Sequence, residues 1–133
     1  MDFIYRVVRT SWAVVVTLSA EFLPMDEVPS FTVVNPKLGL LNKCEKLTEK
    51  EVDLLLLGAR LIGPAVEAAL KEKPGVVLVI DSVEHPNLDY QEEGIAAAVA
   101  GLIARKFSLP EPNIRVEFDK SRNRYVFHFG EVV

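Results

Sequence analysis

The sequence predicts an α+β domain: a mainly antiparallel sheet with two principal helices packed on one face, in the order β-β-β-α-β-α-β-β. Three observations lead there. Two segments repeat apolar residues at helical spacing, and each is opened by a capping pattern, Thr48-x-x-Glu51 and Asp89-x-x-Glu92. The segment 76–80, Val-Val-Leu-Val-Ile, is apolar at every position, which suits a central strand covered on both faces. Towards both ends the chain alternates or runs through β-branched residues in stretches too short for helices.

Taken in order, residues 3–10 alternate imperfectly, and residues 13–22 include Val14, Val15, Val16 and Thr17, whose branched side chains favour a pleated surface. These segments form either a hairpin around Ser11-Trp12 or one bent strand. Pro24 and Pro29 punctuate a loop, and residues 30–34 read as a third strand stopped before Asn35-Pro36. Residues 37–46 read as a loop or a short helical turn. After Thr48, the residues Val52, Leu55, Leu56, Ala59, Ile62, Val66, Ala69 and Leu70 place one buried stripe on a helix. Gly63-Pro64 predicts a kink or break in it, because proline removes an amide donor and crowds the preceding turn. Residues 71–75 end the element with lysines suited to a helix C-terminus.

After the strand at 76–80 comes a polar loop, residues 81–88, and then a helix with Asp89 as its N-cap. Ile95, Val99, Leu102 and Ile103 form its buried stripe, and its many alanines permit a close approach to a sheet or another helix. Residues 113–118 and 124–129 alternate around the turn 119–123 and make the clearest hairpin in the chain. Tyr125, Phe127 and Phe129 share one face of it, which should be the core face.

Composition narrows the function classes. The 133 residues suit a single domain over 1–133, and 26% charged side chains exclude a disordered chain. The lone cysteine, Cys44, excludes an internal disulfide framework and a cysteine-based zinc cluster. A formal charge of −4 argues against avid nonspecific nucleic-acid binding without excluding a local basic patch. No apolar run is long enough to span a membrane. Asp2 and Leu18 fit a secretory leader poorly, so a cytoplasmic protein with a reduced thiol is the expectation. No glycine-rich phosphate loop and no serine nucleophile elbow occur, and no cofactor is implied.

Three constellations bear on chemistry. Asp81, His85 and Asp89 cluster where a buried strand ends and a helix begins, with Glu84, Glu92 and Glu93 nearby. Aspartate and histidine there could supply an acid–base pair or metal ligands. The competing reading makes Asp89 a cap and leaves His85 in solvent. Cys44 has Lys43 and Lys46 beside it but no base in sequence reach, which favours a structural thiol. Arg115, Lys120, Arg122 and Arg124 make the last hairpin locally basic, a pattern that can contact RNA phosphates. His128 reads as a half-exposed strand histidine.

The middle of the chain resembles the fourth domain of the translational GTPase elongation factor G. Phe31-Thr-Val-Val-Asn35 is similar to that family's Phe-x-Phe-Val-Asn strand. Ile62-Gly-Pro-Ala-Val-Glu67 resembles its Ile-Pro-Ala-Val-Glu helix with one residue inserted. Asp81-x-x-x-His85, then Asp89, Glu92, Glu93 and Ala100-Gly101, resemble its Asp-Gly-x-x-His…Asp-Ser-Ser-Glu…Ala-Gly segment, with Ser82 at the family's glycine. The likeness covers residues 31–107. It implies a sheet of four or more strands backed by two helices with a left-handed crossover. The family's glycine-rich tip loop and GTPase domain have no counterpart here, so GTP hydrolysis does not carry over and ribosome contact is implied only through the fold.

The expected function is therefore a non-catalytic binding domain, RNA- or ribosome-associated in the manner of an isolated translation-factor domain. Two alternatives stand beside it. One is a small enzyme or metal-dependent binder built on Asp81, His85 and Asp89. The other is a homo-oligomeric interaction module whose β-rich ends pair across a two-fold axis.

Overall fold

The computed structural model describes residues 1–86 and 89–130. β1 (Asp2–Val8) and β2 (Ala13–Pro24) pair antiparallel, so the first segment is a hairpin rather than one bent strand. A short 3-10 turn, Met25–Glu27, leads to β3 (Thr32–Asn35), which pairs antiparallel with β4 (Leu38–Asn42). α1 spans Glu49–Ala69, β5 Val76–Glu84 and α2 Gly94–Lys106. β6 (Ile114–Asp119) and β7 (Arg124–Phe129) form the closing hairpin. The main sheet has five strands in the order β1-β2-β5-β4-β3, and only β4–β5 is parallel. The α+β class with two helices on a mostly antiparallel sheet is thus present. The closing hairpin stands as a separate two-stranded sheet.

The central position of β5 explains its composition. Leu78 and Ile80 face the helices in the main core, while Val77 and Val79 face Val28 on the opposite side of the sheet. All four are fully buried. Beyond Ile80 the strand does not turn into a loop as expected. It runs on to Glu84, with a bulge against β2 where Ser19 pairs with Ser82 and Ala20 with Ile80. Asp81 is the extra residue of that bulge. The insertion changes the phase of the strand, so that Val83 points into the core. Residues 87 and 88 of the expected loop lie outside the described residues.

Two further expectations are corrected. Residues 38–42 are a strand, not a loop or helical turn. Leu-Gly-Leu-Leu-Asn has little β propensity of its own, and pairing along β5 from Leu38↔Val76 to Asn42↔Ile80 decides its conformation. Gly39 packs closely there, since a Cβ at that position would lie 2.3 Å from the Phe31 ring, which would have to shift. Similarly, α1 is continuous through Gly63-Pro64. Thr48 opens it with the expected capping box: its hydroxyl accepts from the Glu51 amide at 3.1 Å, and the Glu51 carboxylate accepts from the Thr48 amide at 2.9 Å. At the weak point, Asn35 Nδ2 donates to the Gly63 carbonyl at 3.0 Å, a tertiary bond that ties this turn to the end of β3.

α2 is buried on nearly every side, from Gly94 through Ala100 and again at Leu102–Ala104. A helix apolar all round must be boxed in. The sheet covers it through β1 and β2, and α1 flanks it. The closest approach is at Gly58, where a Cβ would sit 2.4 Å from the Ala96 carbonyl oxygen. Ile114 and Phe129 of the closing hairpin also pack on this core. Tyr125, Phe127 and Phe129 do point inward, as the alternation predicts, and Tyr125 is fully buried with Val7 and Val14.

Candidate functional site

The loop between β5 and α2 carries the residues with the most chemical potential, and the structure spends them on tertiary contacts. Asp89 does not cap α2. The helix begins at Gly94 behind Glu93, with no side-chain cap. Asp89 instead lies against β2, past the point where β5 has ended its pairing at Thr17↔Glu84. Its Oδ1 accepts from the Ala13 amide at 3.3 Å and its carbonyl from the Val15 amide at 3.1 Å. Ala13 and Val15 point their amides to the side that β5 would have occupied, so Asp89 completes the ladder in place of a strand.

Gln91 plays the same part for the closing hairpin. Its Nε2 donates to the Tyr125 carbonyl at 2.6 Å, and its Oε1 accepts from the Tyr125 amide at 2.9 Å. One side-chain amide thereby satisfies both backbone groups of a strand residue. Glu93 accepts from the Arg124 guanidinium at 2.9 Å and Glu92 pairs with Lys50 of α1 at 2.6 Å. The segment 89–93 is a staple joining β2, β7 and α1.

Tyr90 completes it. Its hydroxyl donates to Glu51 Oε2 at the start of α1. The His85 ring stacks on the Tyr90 ring, with centroids 3.6 Å apart and planes 13° from parallel. Burial, then the bond to Glu51, pushes the Tyr90 hydroxyl far above its ordinary range, so it stays protonated and remains the donor. Burial of Glu51 raises its carboxyl, but the Thr48 amide and the Tyr90 hydroxyl outweigh that and hold it below its ordinary value. A carboxyl depressed in the folded state contributes stability above its unfolded value of 4.5 and loses it as the pH falls through the lower folded value. Glu51→Gln is therefore expected to lower stability at pH 7 by under about 1 kcal/mol, because the group is half-exposed. The difference between wild type and variant should shrink as the pH falls below 4.5, which denaturant titration at pH 7 and under acid conditions would check.

His85 lines a polar cleft of about 260 Å³ with Lys46, Leu47, Glu51, Val83 and Glu84. Lys46 and Glu84 pair across it at 2.9 Å. Neither Asp81 nor Asp89 lines it. Asp81 is exposed on its bulge, and the three residues do not line one cleft. Among the described residues, no three His, Cys, Asp or Glu side chains are placed to hold a metal ion. Cys44 is buried in the main core, its backbone bracketed by the Asn42 side chain, as a structural thiol would be.

The basic residues of the closing hairpin sit on its solvent side and in its turn. Arg124 is paired with Glu93 at 2.9 Å, Arg122 lies 3.7 Å from Asp119, and Arg115 lies 3.8 Å from Glu117. Lys120 is exposed in the turn. His128 Nε2 lies 3.2 Å from Glu117 Oε2 on the same face. The hairpin is basic by composition but interleaved with its own carboxylates, and its aromatics are turned inward.

Tyr90 and Gln91 are the functional-looking residues that sequence reasoning missed. Neither belongs to a periodic pattern, and a hydrogen bond to a partner more than 30 positions away leaves no local signal. No protein-family model matches this chain, and no curated protein does. No helix among the described residues is long and apolar enough to cross a membrane.

Proposed function

We propose that this chain is a non-catalytic binding domain that meets its partner through the surface of its fold rather than through a reactive cleft. The observation that carries this reading is the staple at 89–93. Asp89 is consumed by the amides of β2, and His85 by stacking on a tyrosine that is itself bonded to Glu51. A catalytic acid–base pair needs both groups within reach of one reacting atom, and these two serve separate contacts. Titrating Zn²⁺ and Mn²⁺ into the ¹⁵N-labelled protein tests it. No saturable shift is expected at residues 81–92. Saturable binding that His85→Ala abolishes overturns the reading in favour of a metal-dependent site.

A second reading, contact with RNA or the ribosome, draws on the resemblance to the translation-factor domain and on the exposure of Arg115, Lys120, Arg122 and Arg124. Fluorescence anisotropy with a labelled RNA stem-loop separates the two. Binding that weakens steeply with salt and is lost in Lys120→Glu/Arg122→Glu supports it. Absence of binding at low salt removes it.

A further inference from the structure

The main sheet has two edges, and they are protected very differently. β3 has only four residues, carries a register shift between Val33 and Asn35, and is followed at once by Pro36. β1 has seven residues in unbroken register with β2 and contains no proline. Long regular edges of this kind invite another strand.

The phase of β1 can be read from its first pair. Met1 and Ala20 exchange both hydrogen bonds, each 2.9 Å long. In an antiparallel ladder such pairs alternate, so Phe3, Tyr5 and Val7 bond to β2. Asp2, Ile4, Arg6 and Val8 then turn their amides and carbonyls outward. The side chains of these four are exposed on the sheet face away from the helices, Ile4 at 62% and Val8 at 47%. Among the described residues, neither Asp2 nor Arg6 has an ion-pair partner.

We propose that β1 pairs with β1 of a second copy across a two-fold axis at Ile4, joining the two sheets into one. A symmetric antiparallel partner must set outward-facing residues opposite outward-facing residues. The register centred on Ile4 does so and places Asp2 of each copy opposite Arg6 of the other, two ion pairs flanking an Ile4–Ile4 contact. Shifting the register by one allowed step, so that the axis falls on Tyr5, sets Asp2 against Val8 and leaves both charges unmatched. The self-complementary charge pattern therefore selects one occupant and one register.

Sedimentation equilibrium on the intact chain tests this, because the side chains to be changed are exposed on the monomer. Wild type is expected at twice the chain mass. Ile4→Lys puts like charges on the axis and should weaken association about a hundredfold. Arg6→Asp should also weaken it, and Asp2→Arg/Arg6→Asp should restore it, with far-UV circular dichroism unchanged throughout. A wild type that stays monomeric up to about 1 mM overturns the interface. A double variant as weak as Arg6→Asp overturns the register and the interface with it. Neither failure touches the metal titration that decides the non-catalytic reading.

Discussion

Gly58→Leu is expected to abolish the native fold, and Gly58→Ala to destabilise it by about 1–3 kcal/mol. The two effects on alanine oppose each other. Removing a glycine from a helix interior gains about 1 kcal/mol of helix propensity. Against that, the new Cβ would lie 2.4 Å from the Ala96 carbonyl oxygen and 2.9 Å from Val99 Cβ. The first of these is backbone in the first turn of α2, a helix boxed in by sheet and α1, and it can move only if the helices separate. Overpacking wins. Leucine would require a gap several ångströms wide through the main core, beyond the roughly 5–15 kcal/mol that holds a domain of this size together. Gly101→Ala is the informative control. Its Cβ would meet the Phe3 ring tip at 2.7 Å, but that ring borders a groove of about 410 Å³ into which it can swing. Urea denaturation should rank the variants as Gly101→Ala mild, Gly58→Ala severe and Gly58→Leu unfolded. Equal effects of the two alanines would show that the helices are free to slide.

Tyr125→Ala is the second large effect, about 3–5 kcal/mol. Tyr125 is fully buried and meets Trp12 and Phe118 edge-on, at centroid distances of 4.9 and 5.1 Å. Its hydroxyl accepts from the Arg9 amide at 2.8 Å and donates to the Trp12 carbonyl at 2.7 Å, which closes the β1–β2 turn. Its backbone is held by Gln91. One residue thus clasps the first hairpin to the last. Tyr125→Phe separates the parts of this role. It keeps the ring but leaves an amide and a carbonyl unpaired, for about 1–3 kcal/mol. Both variants should weaken the near-ultraviolet circular dichroism of Trp12, the single tryptophan of the chain. If Tyr125→Phe matches wild type in denaturant midpoint, water replaces the hydroxyl at no cost and the clasp is only steric.

The pattern of expectations met and missed follows the range of the forces involved. The capping box at Thr48, the all-apolar strand at 76–80 and the alternation of the closing hairpin are encoded within a few neighbouring residues, and each is present. The same reading erred where a local preference met a stronger distant partner. Asp89-x-x-Glu92 has the spacing of a cap, yet the Ala13 and Val15 amides claim Asp89 and the helix starts at Gly94. Gly63-Pro64 has the make-up of a break, yet α1 continues, with Asn35 bonded across the weak point. Leu38–Asn42 lacks β propensity, yet β5 recruits it.

The candidate site divides along the same line. Periodicity and capping chemistry depend on residues a few positions apart, so the α+β class, the buried Leu55, Ala59, Ile62 and Val66 of α1 with Leu70 at its C-cap, and the inward turn of Tyr125, Phe127 and Phe129 were written in the chain, whereas Val52 and Ala69, expected on the same stripe, are exposed. What Asp81, His85 and Asp89 do depends on which amides, rings and carboxylates arrive from elsewhere. The bulge at Asp81, the ring of Tyr90 beneath His85 and the open ladder of β2 beside Asp89 exist only once the sheet has assembled. Long-range hydrogen bonding turned an acidic, histidine-bearing bend into a structural staple, because a polar group at the edge of a folded core is held by whichever partner the fold delivers to it.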